Sequence, residues 1–368
     1  MRFYPALPLR PLGATLTIGI FLCLLAFALG ESPLVFWHAF SHTFFTQFGL
    51  GYALFYATPL IFTGLSFALC QQAGFFNIGA EGQLSSAALF VLLGSTLTPA
   101  AATSSPFLAI SYMVILAMVG GAFLGLLGAA LRIYFRVHEV VATILLNFIA
   151  LDALNYFVLG PLKSPTSQAA ASRDIPALFQ LPLLSEVFSS FGFSLFARTP
   201  ANSALFFAIA AAIALHLYLY KSVAGLSLRA CGANARVSHY AGISGSRICF
   251  WAFALGGAAA GGVALNDVCG YAHKVYEGFS PGYGYSGIAV SLLARHRPLG
   301  IIASGFFLGG IHNASRELEF MSDRLTSDTS LCLEGVLLVC MSMDIPSLTW
   351  RLWQTLQRTR EYIKTWIS

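Results

Sequence analysis

The sequence predicts an all-α polytopic membrane protein with about ten transmembrane helices, including broken or re-entrant helices, in two pseudo-repeated halves. Composition is the first observation behind this prediction. The chain of 368 residues is 57% hydrophobic, has a mean hydropathy of +0.75, and only 10% of its residues are charged. Soluble domains are about 25% charged, so lipid covers most of this surface. A cytosolic enzyme, a nucleic-acid-binding protein and a disordered chain are therefore excluded.

Long apolar runs are the second observation. A helix needs about 20 mainly apolar residues to span a bilayer. The candidate spans are residues 14–30, 50–70, 84–97, 107–131, 140–159, 204–220, 248–268, 283–294, 299–311 and 331–343. We interpret the first as an uncleaved span rather than a secretory signal, because its apolar core is long and more membrane segments follow. Several runs are too short to span alone, which predicts broken helices.

Positive charges predict the orientation. With the amino terminus in the cytoplasm and alternating spans, most of the 20 Lys and Arg residues fall on the cytoplasmic side, as the positive-inside rule requires. Both termini are then cytoplasmic. We predict one domain over residues 1–368, with approximate halves 45–160 and 204–345. Its other parts are an outer loop at 160–202, a cytoplasmic loop at 221–247 and an amphipathic tail at 350–368.

Motifs for catalysis and metal binding are missing from the sequence. It has no phosphate-binding G-x-x-x-x-G-K-[ST] loop, so this chain is not expected to hydrolyse ATP. It has no H-E-x-x-H or G-x-S-x-G string either. The seven cysteines form no C-x-x-C pair, and we interpret them as small buried hydrophobic residues. We expect no catalytic residue, no metal site and no cofactor.

A first glycine-rich string, residues 71–83, separates two apolar runs. Its glycines permit a break in the helix, and a half-helix that begins near Glu81 would leave free backbone N–H groups at its start. Irregular backbone at membrane depth is tolerated where it is buried in protein or lines a cavity. Asn77, Glu81 and Gln83 are therefore candidate solute-pathway residues. Alternatively, they cap one another and hold the helices together.

A second broken segment, residues 280–290, lies in the other half of the chain. Paired broken segments in corresponding halves point to a solute site between the halves. Tyr283, Tyr285 and Ser286 offer ring faces and hydroxyl groups to a planar polar solute. Tyrosines near a membrane edge also serve as interfacial anchors.

Polar residues inside the predicted spans are further candidates, because a buried charge in lipid is unfavourable. Glu334 is assigned to the solute pathway. Asn147 is a pathway candidate that could equally join helices. We interpret Asp152 and Asp267 as residues that hydrogen-bond neighbouring helices or reach the interface.

Two small-residue patterns predict close helix packing. Gly121-x-x-x-Gly125 and the run 256–262 would let helix backbones approach one another. We expect these contacts within one chain rather than between two copies.

The cytoplasmic loop predicts a short exposed helix. Asn234 can cap a helix that runs through Tyr240, and Gly242 can end it. With Arg229 and Arg236 beside apolar side chains, such a helix suits a groove on another protein. An ordinary basic loop is the alternative.

Four strings together resemble a known family. Residues 76–83, 139–147, 240–243 and 284–290 resemble the permease subunits of bacterial ATP-binding-cassette (ABC) importers, in the nucleoside and simple-sugar branch. The branched-chain amino acid and ribose permeases are more distant. The resemblance runs from about residue 50 to 339, and Asn-Ile-Gly-Ala-Glu-Gly-Gln at 77–83 is its most specific string.

The resemblance implies a permease of the bacterial inner membrane that works with ABC ATPase subunits, a second homologous permease and an extracytoplasmic substrate-binding lipoprotein. ATP is then used by the partner. It also implies that the inner loop is a coupling helix. The residues assigned to ATPase coupling are Arg229, Asn234, Arg236, His239 and Tyr240.

A purine nucleoside is the first choice of solute and riboflavin the second. Residues 294–297, Ala-Arg-His-Arg, stand in place of the Gly-Arg-Asn-His-type turn that is usual in the family. The alternative function is an ion-coupled secondary transporter that uses Glu81, Asp267 or Glu334.

Overall fold

The computed structural model of the protein describes residues 32–98, 105–165 and 168–322, with Cys332, Gly335 and Val336 beyond them. The predicted span 14–30, most of 331–343, the candidate Glu334 and the tail 350–368 lie outside the described residues. Within the described ranges the chain is all-helical and forms no strand, only isolated β-bridges.

The helices follow one another without intervening sheet. They are α1 (Pro33–Phe45), α2 (Gln47–Gln72), α3 (Ala80–Leu97), α4 (Pro106–Phe135), α5 (Glu139–Leu159), α6 (Leu184–Ser189), α7 (Ala204–Lys221), α8 (Val223–Ala233), α9 (Ala235–Tyr240), α10 (Gly245–Gly261), α11 (Tyr283–Leu293) and α12 (Pro298–Met321). A 3₁₀ turn at Ala177–Phe179 and a π-helix at Leu265–Ala272 complete the described set.

Several helices have the dimensions of membrane spans. Five helical segments in the described ranges are long and apolar enough to cross a membrane, which supports a polytopic membrane protein. They are Gln47–Gln72, Pro106–Phe135, Glu139–Leu159, Ala204–Lys221 and Gly245–Ala272. The predicted count of about ten spans and the predicted pseudo-repeat are not confirmed by these segments.

The last described helix is longer than the sequence predicts. The run 299–311 was expected to be short, but α12 continues to Met321. Its polar residues have partners in the bundle: Arg316 Nη1 donates to the Tyr56 hydroxyl at 2.9 Å, and Glu317 lies 3.5 Å from His42 Nδ1. A hydropathy window ends at these charges, whereas the helix continues because they are partnered.

The first described helix was missed from the sequence. Helix α1 begins at Pro33, where proline lacks an N–H that would be unpaired anyway, and the Ser32 hydroxyl accepts from Leu34 N at 3.3 Å. It packs on α12, where Asn313 Nδ2 donates to Thr43 Oγ1 at 3.1 Å. Its apolar residues are interspersed with histidine, serine and threonine, so no long apolar run marks it.

Small residues bring α4 and α10 into backbone contact, as the sequence predicts. A Cβ atom at Gly121 would overlap the carbonyl oxygen of Gly257, and one at Gly261 would overlap the carbonyl oxygen of Ala117. Close backbone approach gains van der Waals contact that larger side chains would prevent. These contacts lie within one chain.

Four of the described cysteines pack as hydrophobic residues. Cys70, Cys231, Cys249 and Cys269 are buried and unpaired, as predicted, whereas Cys332 is exposed. Cys70, Cys249 and Cys269 lie among the apolar side chains that join the helices.

Helix α5 runs from one end of the molecule to the other. We call the end with residues 221–247 the α9 end and the end with residues 160–203 the cap end. At the α9 end, Arg132 pairs with Glu139 across the α4–α5 turn. At the cap end, the last turn of α5 packs with Phe179 and Ala204.

The described residues of the segment 160–203 form a cap on the end of the π-helix. Ser172 N donates to Val275 O at 2.8 Å, and Leu181 N donates to Cys269 O at 2.9 Å. Lys274 Nζ lies 3.4 Å from Asp174 Oδ1, and this hydrogen bond raises the pKa of Lys274. The cap therefore fixes the segment that follows the π-helix.

Candidate functional site

The first glycine-rich string folds back into the bundle. Helix α2 ends where Gly74 takes a positive φ of 84°, and Asn77 Oδ1 then accepts from Gly79 N at 2.9 Å. Asn77 Nδ2 reaches Ser66 Oγ at 3.4 Å. Because Ser66 lies well inside α2, the next helix starts inside the bundle rather than at its end. Helix α3 begins at Ala80, within a few residues of the predicted position.

The second broken segment meets the first at the middle of the bundle. Gly282, with φ 94°, precedes the start of α11. Glu81 Oε2 accepts from Gly284 N at 2.7 Å, and the Ser280 side chain also bonds this carboxyl group. Gly284 is required here, since a Cβ atom would overlap the backbone of Glu81.

The two half-helices leave this meeting point in opposite directions. Helix α3 packs with Met113 and Leu154 towards the cap end. Helix α11 runs towards the α9 end, where Gln72 Nε2 donates to His296 O at 3.2 Å in the following turn. Two helix N-termini, each with a partial positive charge, therefore meet at Glu81, and its carboxyl group stabilises both.

Amide side chains surround this meeting point. Gln83 Nε2 donates to Asn77 Oδ1 at 3.3 Å, and Asn77 Nδ2 donates to Gln83 Oε1 at 3.2 Å. Asn147 Oδ1 accepts from Gly82 N at 2.8 Å, while its Nδ2 donates to Ile78 O at 2.9 Å. The Tyr285 hydroxyl lies 3.4 Å from Asn147 Nδ2.

We call this set the convergence cluster. Its members are Asn77, Glu81, Gln83, Asn147 and the hydroxyl of Tyr285. All but Tyr285 are buried. The structure thus brings together five of the eight predicted pathway residues and gives each a hydrogen-bond partner within the chain.

A cavity lies between the convergence cluster and the cap. Its volume is about 510 Å³, within the range of small-molecule sites. Aromatic rings dominate its walls. The rings belong to Phe55, Tyr56, Tyr271, Tyr276, Phe279 and Tyr283. We call this space the aromatic cavity.

Tyr283 connects the two regions. It lines the aromatic cavity and is buried at the start of α11. It is the first residue of α11 and directly precedes Gly284, whose N–H donates to Glu81 Oε2. The aromatic cavity therefore adjoins the convergence cluster.

The cationic groups of the aromatic cavity are engaged by the protein. Arg316 donates to the Tyr56 hydroxyl, and its guanidinium lies 5.1 Å from the centre of the Tyr52 ring. Lys274, paired with Asp174, lies 5.7 Å from the centre of the Tyr276 ring. Both cations are thus held by neighbouring side chains.

Asp267 differs from these groups. Its Oδ1 accepts from Asn266 Nδ2 at 3.2 Å. Its Oδ2 is buried and has no hydrogen-bond partner among the described residues. The residue is 9% exposed and lines the aromatic cavity. One acceptor at the cavity wall therefore has no hydrogen-bond donor among the described residues.

The remaining predicted pathway residues are placed apart or undescribed. Tyr283 belongs to the cavity wall, and Ser286 is buried on α11. Glu334 lies outside the described residues. Asp267 and Asp152 were both predicted to have structural roles; the structure puts Asp267 at the cavity and leaves Asp152 exposed on α5.

Sequence reasoning missed most of the cavity wall. Asp267 and Tyr271 are four residues apart, as are His312 and Arg316, a spacing that places side chains on one helix face. This spacing could have predicted that each pair shares a site. For Arg316 it was not applied, because the predicted span ended at residue 311.

The predicted short helix at the α9 end is confirmed. Asn234 Oδ1 accepts from Arg236 N at 3.0 Å and from Val237 N at 3.1 Å. Gly242, with φ 79°, follows the helix. Val237 is 62% exposed and Tyr240 is 90% exposed, so α9 presents an apolar face that nothing in the described chain covers.

Arg229 is separate from the exposed face of α9. Its Nε donates to Leu219 O at 3.0 Å, and its guanidinium lies 4.8 Å from the centre of the Tyr220 ring. It therefore ties α8 to α7. Arg236 and His239 are exposed on α9 itself.

Comparison with known proteins identifies the family. The family model described as "Branched-chain amino acid transport system / permease component" matches residues 49–342. The chain belongs to this family. The resemblance seen in the sequence is thereby confirmed, and the chain is a multi-pass membrane protein.

Relatives of this permease are named for different solutes. The glucose ABC transporter permease TsgB13 of Haloferax volcanii is 33% identical over 273 residues, which cover 73% of this chain and 69% of the relative. The guanosine ABC transporter permease NupP of Bacillus subtilis is 29% identical over 258 residues, 69% of this chain and 70% of the relative. The probable riboflavin import permease RfuC of Treponema pallidum is 24% identical over 321 residues, 85% of this chain and 79% of the relative. No solved structure matches the chain.

Membership in this permease family determines the division of labour. Permease subunits of ABC transporters are non-catalytic, and ATP is hydrolysed in a partner ATPase. The absence of a phosphate-binding loop from the sequence agrees with this role.

Proposed function

We propose that this permease moves a neutral, nucleoside-like solute across a bacterial inner membrane by ATP-driven alternating access. A purine nucleoside is our first choice and riboflavin our second. The observation that carries the proposal is the aromatic cavity, whose wall residue Tyr283 begins α11 beside the point where the two opposed half-helices meet. Opposed broken helices at mid-membrane are the usual setting of transport sites.

The electrostatics of the site favour a solute without a negative charge. Half-helix N-termini in transporters commonly receive an anionic group of the substrate. Here Glu81 occupies that position by accepting from Gly284 N. Arg316 and Lys274 are engaged by Tyr56 and Asp174. The formal charges of the cavity lining also balance, because Asp267 and Glu319 offset Lys274 and Arg316, so the cavity offers no net positive charge to a phosphate or carboxylate.

The aromatic walls favour a flat heterocycle. A nucleobase has two π faces, which pack well against tyrosine and phenylalanine rings. Both a purine nucleoside and riboflavin meet this condition and also carry hydroxyl groups. The naming of guanosine and riboflavin in relatives supports the same solute class.

Energy for the movement would reach the permease through α9. We assign Asn234 the capping role and Arg236, His239 and Tyr240 the contact with an ABC ATPase, because a short helix with an apolar face fits a partner's groove. The remaining partners are a second homologous permease and a substrate-binding lipoprotein that delivers the solute from outside. The α9 end is then cytoplasmic, as are both termini, and no cofactor is bound by the permease itself.

An ion-coupled secondary transporter is the second candidate. The observation in its favour is the unpartnered oxygen of Asp267 at a cavity wall, since intramembrane carboxyl groups serve ion-coupled transport. Family membership favours the ATP-driven reading, because relatives bear the names of ABC permeases.

The proposal is tested through α9. The complex of this permease with its ATPase, second permease and lipoprotein is reconstituted, and ATPase activity is measured with guanosine-loaded lipoprotein. Tyr240→Asp and Arg236→Glu should reduce the stimulated activity at least fivefold without affecting assembly, since both side chains are exposed.

Lys221→Glu is the matched control. Lys221 is also exposed at the α9 end and lies outside α9, so its reversal should leave the stimulated ATPase activity within twofold of wild type. Full stimulation in the Tyr240→Asp and Arg236→Glu variants would contradict the coupling role of α9.

A further inference from the structure

We propose that the aromatic cavity is a solute-binding site of the permease itself, in which the Asp267 carboxyl group accepts a hydrogen bond from an N–H or O–H group of a neutral nucleoside. The proposal rests on the proposed function and extends it, because it gives the permease a recognition site of its own beside that of the lipoprotein.

The unfilled oxygen of Asp267 is the first argument. A buried carboxyl oxygen without a partner destabilises the fold, and nearly all such groups in proteins are hydrogen-bonded. Asp267 Oδ1 is held by Asn266, whereas Oδ2 has no partner in the described chain. A solute donor that enters the cavity from its open side would supply one after a small rotation of the carboxyl group.

The local backbone is the second argument. Asp267 and Tyr271 belong to the eight-residue π-helix that follows α10. π-helical turns are rare and occur frequently at functional sites. This one is fixed at its side by Asn202, whose Nδ2 donates to Asn266 O at 3.1 Å. The arrangement holds a carboxyl group and a ring at the same cavity.

The neighbouring rings are the third argument. Tyr56 stacks on His312 with ring centres 6.0 Å apart, and Phe55 lies 4.9 Å from Tyr271. These rings surround the Asp267 position on α2, α12 and the π-helix. A heterocycle that packs between them would bring its edge, or the attached ribose, to the carboxyl group.

The chemistry of Asp267 defines the ligand class. The Oδ1 atom already accepts from Asn266 Nδ2, and the lone pairs of the unpartnered Oδ2 can accept a further hydrogen bond, so the complementary group of the solute is a donor. A nucleoside offers donors of two kinds, the N–H groups of the base and the hydroxyl groups of the ribose. Asp267 and Glu319 offset Lys274 and Arg316 in the cavity lining, and this balance of formal charge suits a neutral molecule.

Equilibrium binding of tritiated guanosine tests the proposal. The probe is titrated into the complete transporter in nanodiscs without the lipoprotein. Wild type should bind it saturably. Asp267→Ala should weaken binding at least tenfold, whereas Asp267→Asn, which keeps an acceptor oxygen, should stay within about threefold of wild type.

Asp152→Asn is the matched control. Asp152 is the other acidic residue within a predicted span that the structure describes, and its side chain is exposed on α5 away from the cavity lining. Its binding should equal that of wild type. If Asp267→Ala does not assemble, Asp267→Ser provides the second truncation with the same expected loss.

Two analogues distinguish the donors. If the exocyclic amine of the base donates, inosine, which lacks this amine, should bind wild type more weakly than guanosine does, and the two should bind Asp267→Ala with equal affinity. If the 2′-hydroxyl of the ribose donates, 2′-deoxyguanosine should show that pattern instead. Either pattern supports the proposal. Equal binding of guanosine by wild type and Asp267→Ala, or no saturable binding by wild type, overturns it.

Uptake separates this proposal from the proposed function. ATP-dependent guanosine uptake that is unchanged in Asp267→Ala would refute the cavity site and leave the importer function intact. Wild-type complex that neither binds nor transports guanosine would refute the nucleoside function itself.

Discussion

The convergence cluster and the aromatic cavity both contain buried polar side chains, but they differ in whether those side chains have hydrogen-bond partners within the protein. In the cluster, Asn77, Gln83 and Asn147 bond one another or the backbone, and Glu81 satisfies the start of α11. In the cavity, Asp267 retains an oxygen without a partner beside about 510 Å³ of open space. Buried polar groups that hydrogen-bond one another hold helix ends in place. A buried acceptor that has no partner and lies beside a cavity is instead available to a solute.

This difference separates two kinds of substitution. Changes in the convergence cluster should lower the stability of the fold, because each removed group leaves a buried partner unsatisfied. Changes in the aromatic cavity should have little effect on stability and a larger effect on solute affinity. The predictions below run from the largest expected effect to the smallest.

Glu81→Ala should have the largest effect. It leaves the Gly284 N–H and two opposed helix N-termini without an acceptor, and loss of a charged, buried partner costs about 3 kcal/mol. Thermal unfolding of the purified permease in detergent measures the change. Glu81→Gln, which keeps an acceptor oxygen, should lose less than half as much.

A Glu81→Ala variant as stable as wild type would show that the convergence cluster does not hold the two half-helices. In that case the alternative for Asn77, Glu81 and Gln83, direct contact with the solute, would be the better interpretation of these residues.

Gly284→Ala should come next. A Cβ atom would overlap the Glu81 backbone, and overpacking of this kind costs about 1–3 kcal/mol. Gly245→Ala is its control, since nothing lies within 4 Å of a Cβ atom there. The melting temperature of the control should be at or near that of wild type. Equal melting temperatures for the two variants would disprove the close approach of α11 to α3.

Tyr56→Phe probes the aromatic cavity with a smaller change. It removes the acceptor of Arg316 and should lower stability by about 1 kcal/mol. The free energy of guanosine binding should change by more than the free energy of unfolding, because Arg316 is then free to change position in the cavity. A loss of stability as large as that of Glu81→Ala, without an effect on affinity, would place Tyr56 with the structural residues.

The turn of residues 294–297 should give the smallest effect, as a dependence on pH. Burial lowers the pKa of His296 from its usual value of 6.5, so the folded chain favours the neutral ring and the unfolded chain binds the proton more readily. Stability should therefore be complete above pH 6.5 and decrease as the pH falls below it.

The measurement for His296 is the melting temperature between pH 5 and 8. In His296→Asn, which does not titrate, part of the decrease below pH 6.5 should disappear. A wild-type melting temperature that rises on acidification, with no such rise in the variant, would show the opposite sign.

Local features of the molecule were predictable from the sequence. Asn234 and Gly242 delimit α9 as expected, since helix capping depends on residues a few positions apart. The break before α3 follows from glycines within one string. Gly121 signals the α4–α10 contact because small residues are the condition for close backbone approach.

Long-range partners explain what the sequence did not reveal. Arg316 lies far along the chain from Tyr56, and its charge suggests the end of a span unless that partner is known. Asp267 was assigned a structural role because the sequence does not show whether both of its carboxyl oxygens have partners. The unpartnered Oδ2 becomes evident only once α2, the π-helix and α12 are in place. Hydropathy indicates which residues enter the membrane, whereas tertiary packing determines which of their polar groups have hydrogen-bond partners.

Uptake of tritiated guanosine by proteoliposomes is the most direct test of the account. The complete transporter is reconstituted with ATP on the ATPase side and guanosine-loaded lipoprotein on the other, with and without a protonophore. The account predicts uptake that requires ATP, resists the protonophore and is at least tenfold slower in Asp267→Ala at low guanosine. Uptake by this chain alone, without ATP and abolished by the protonophore, would contradict it.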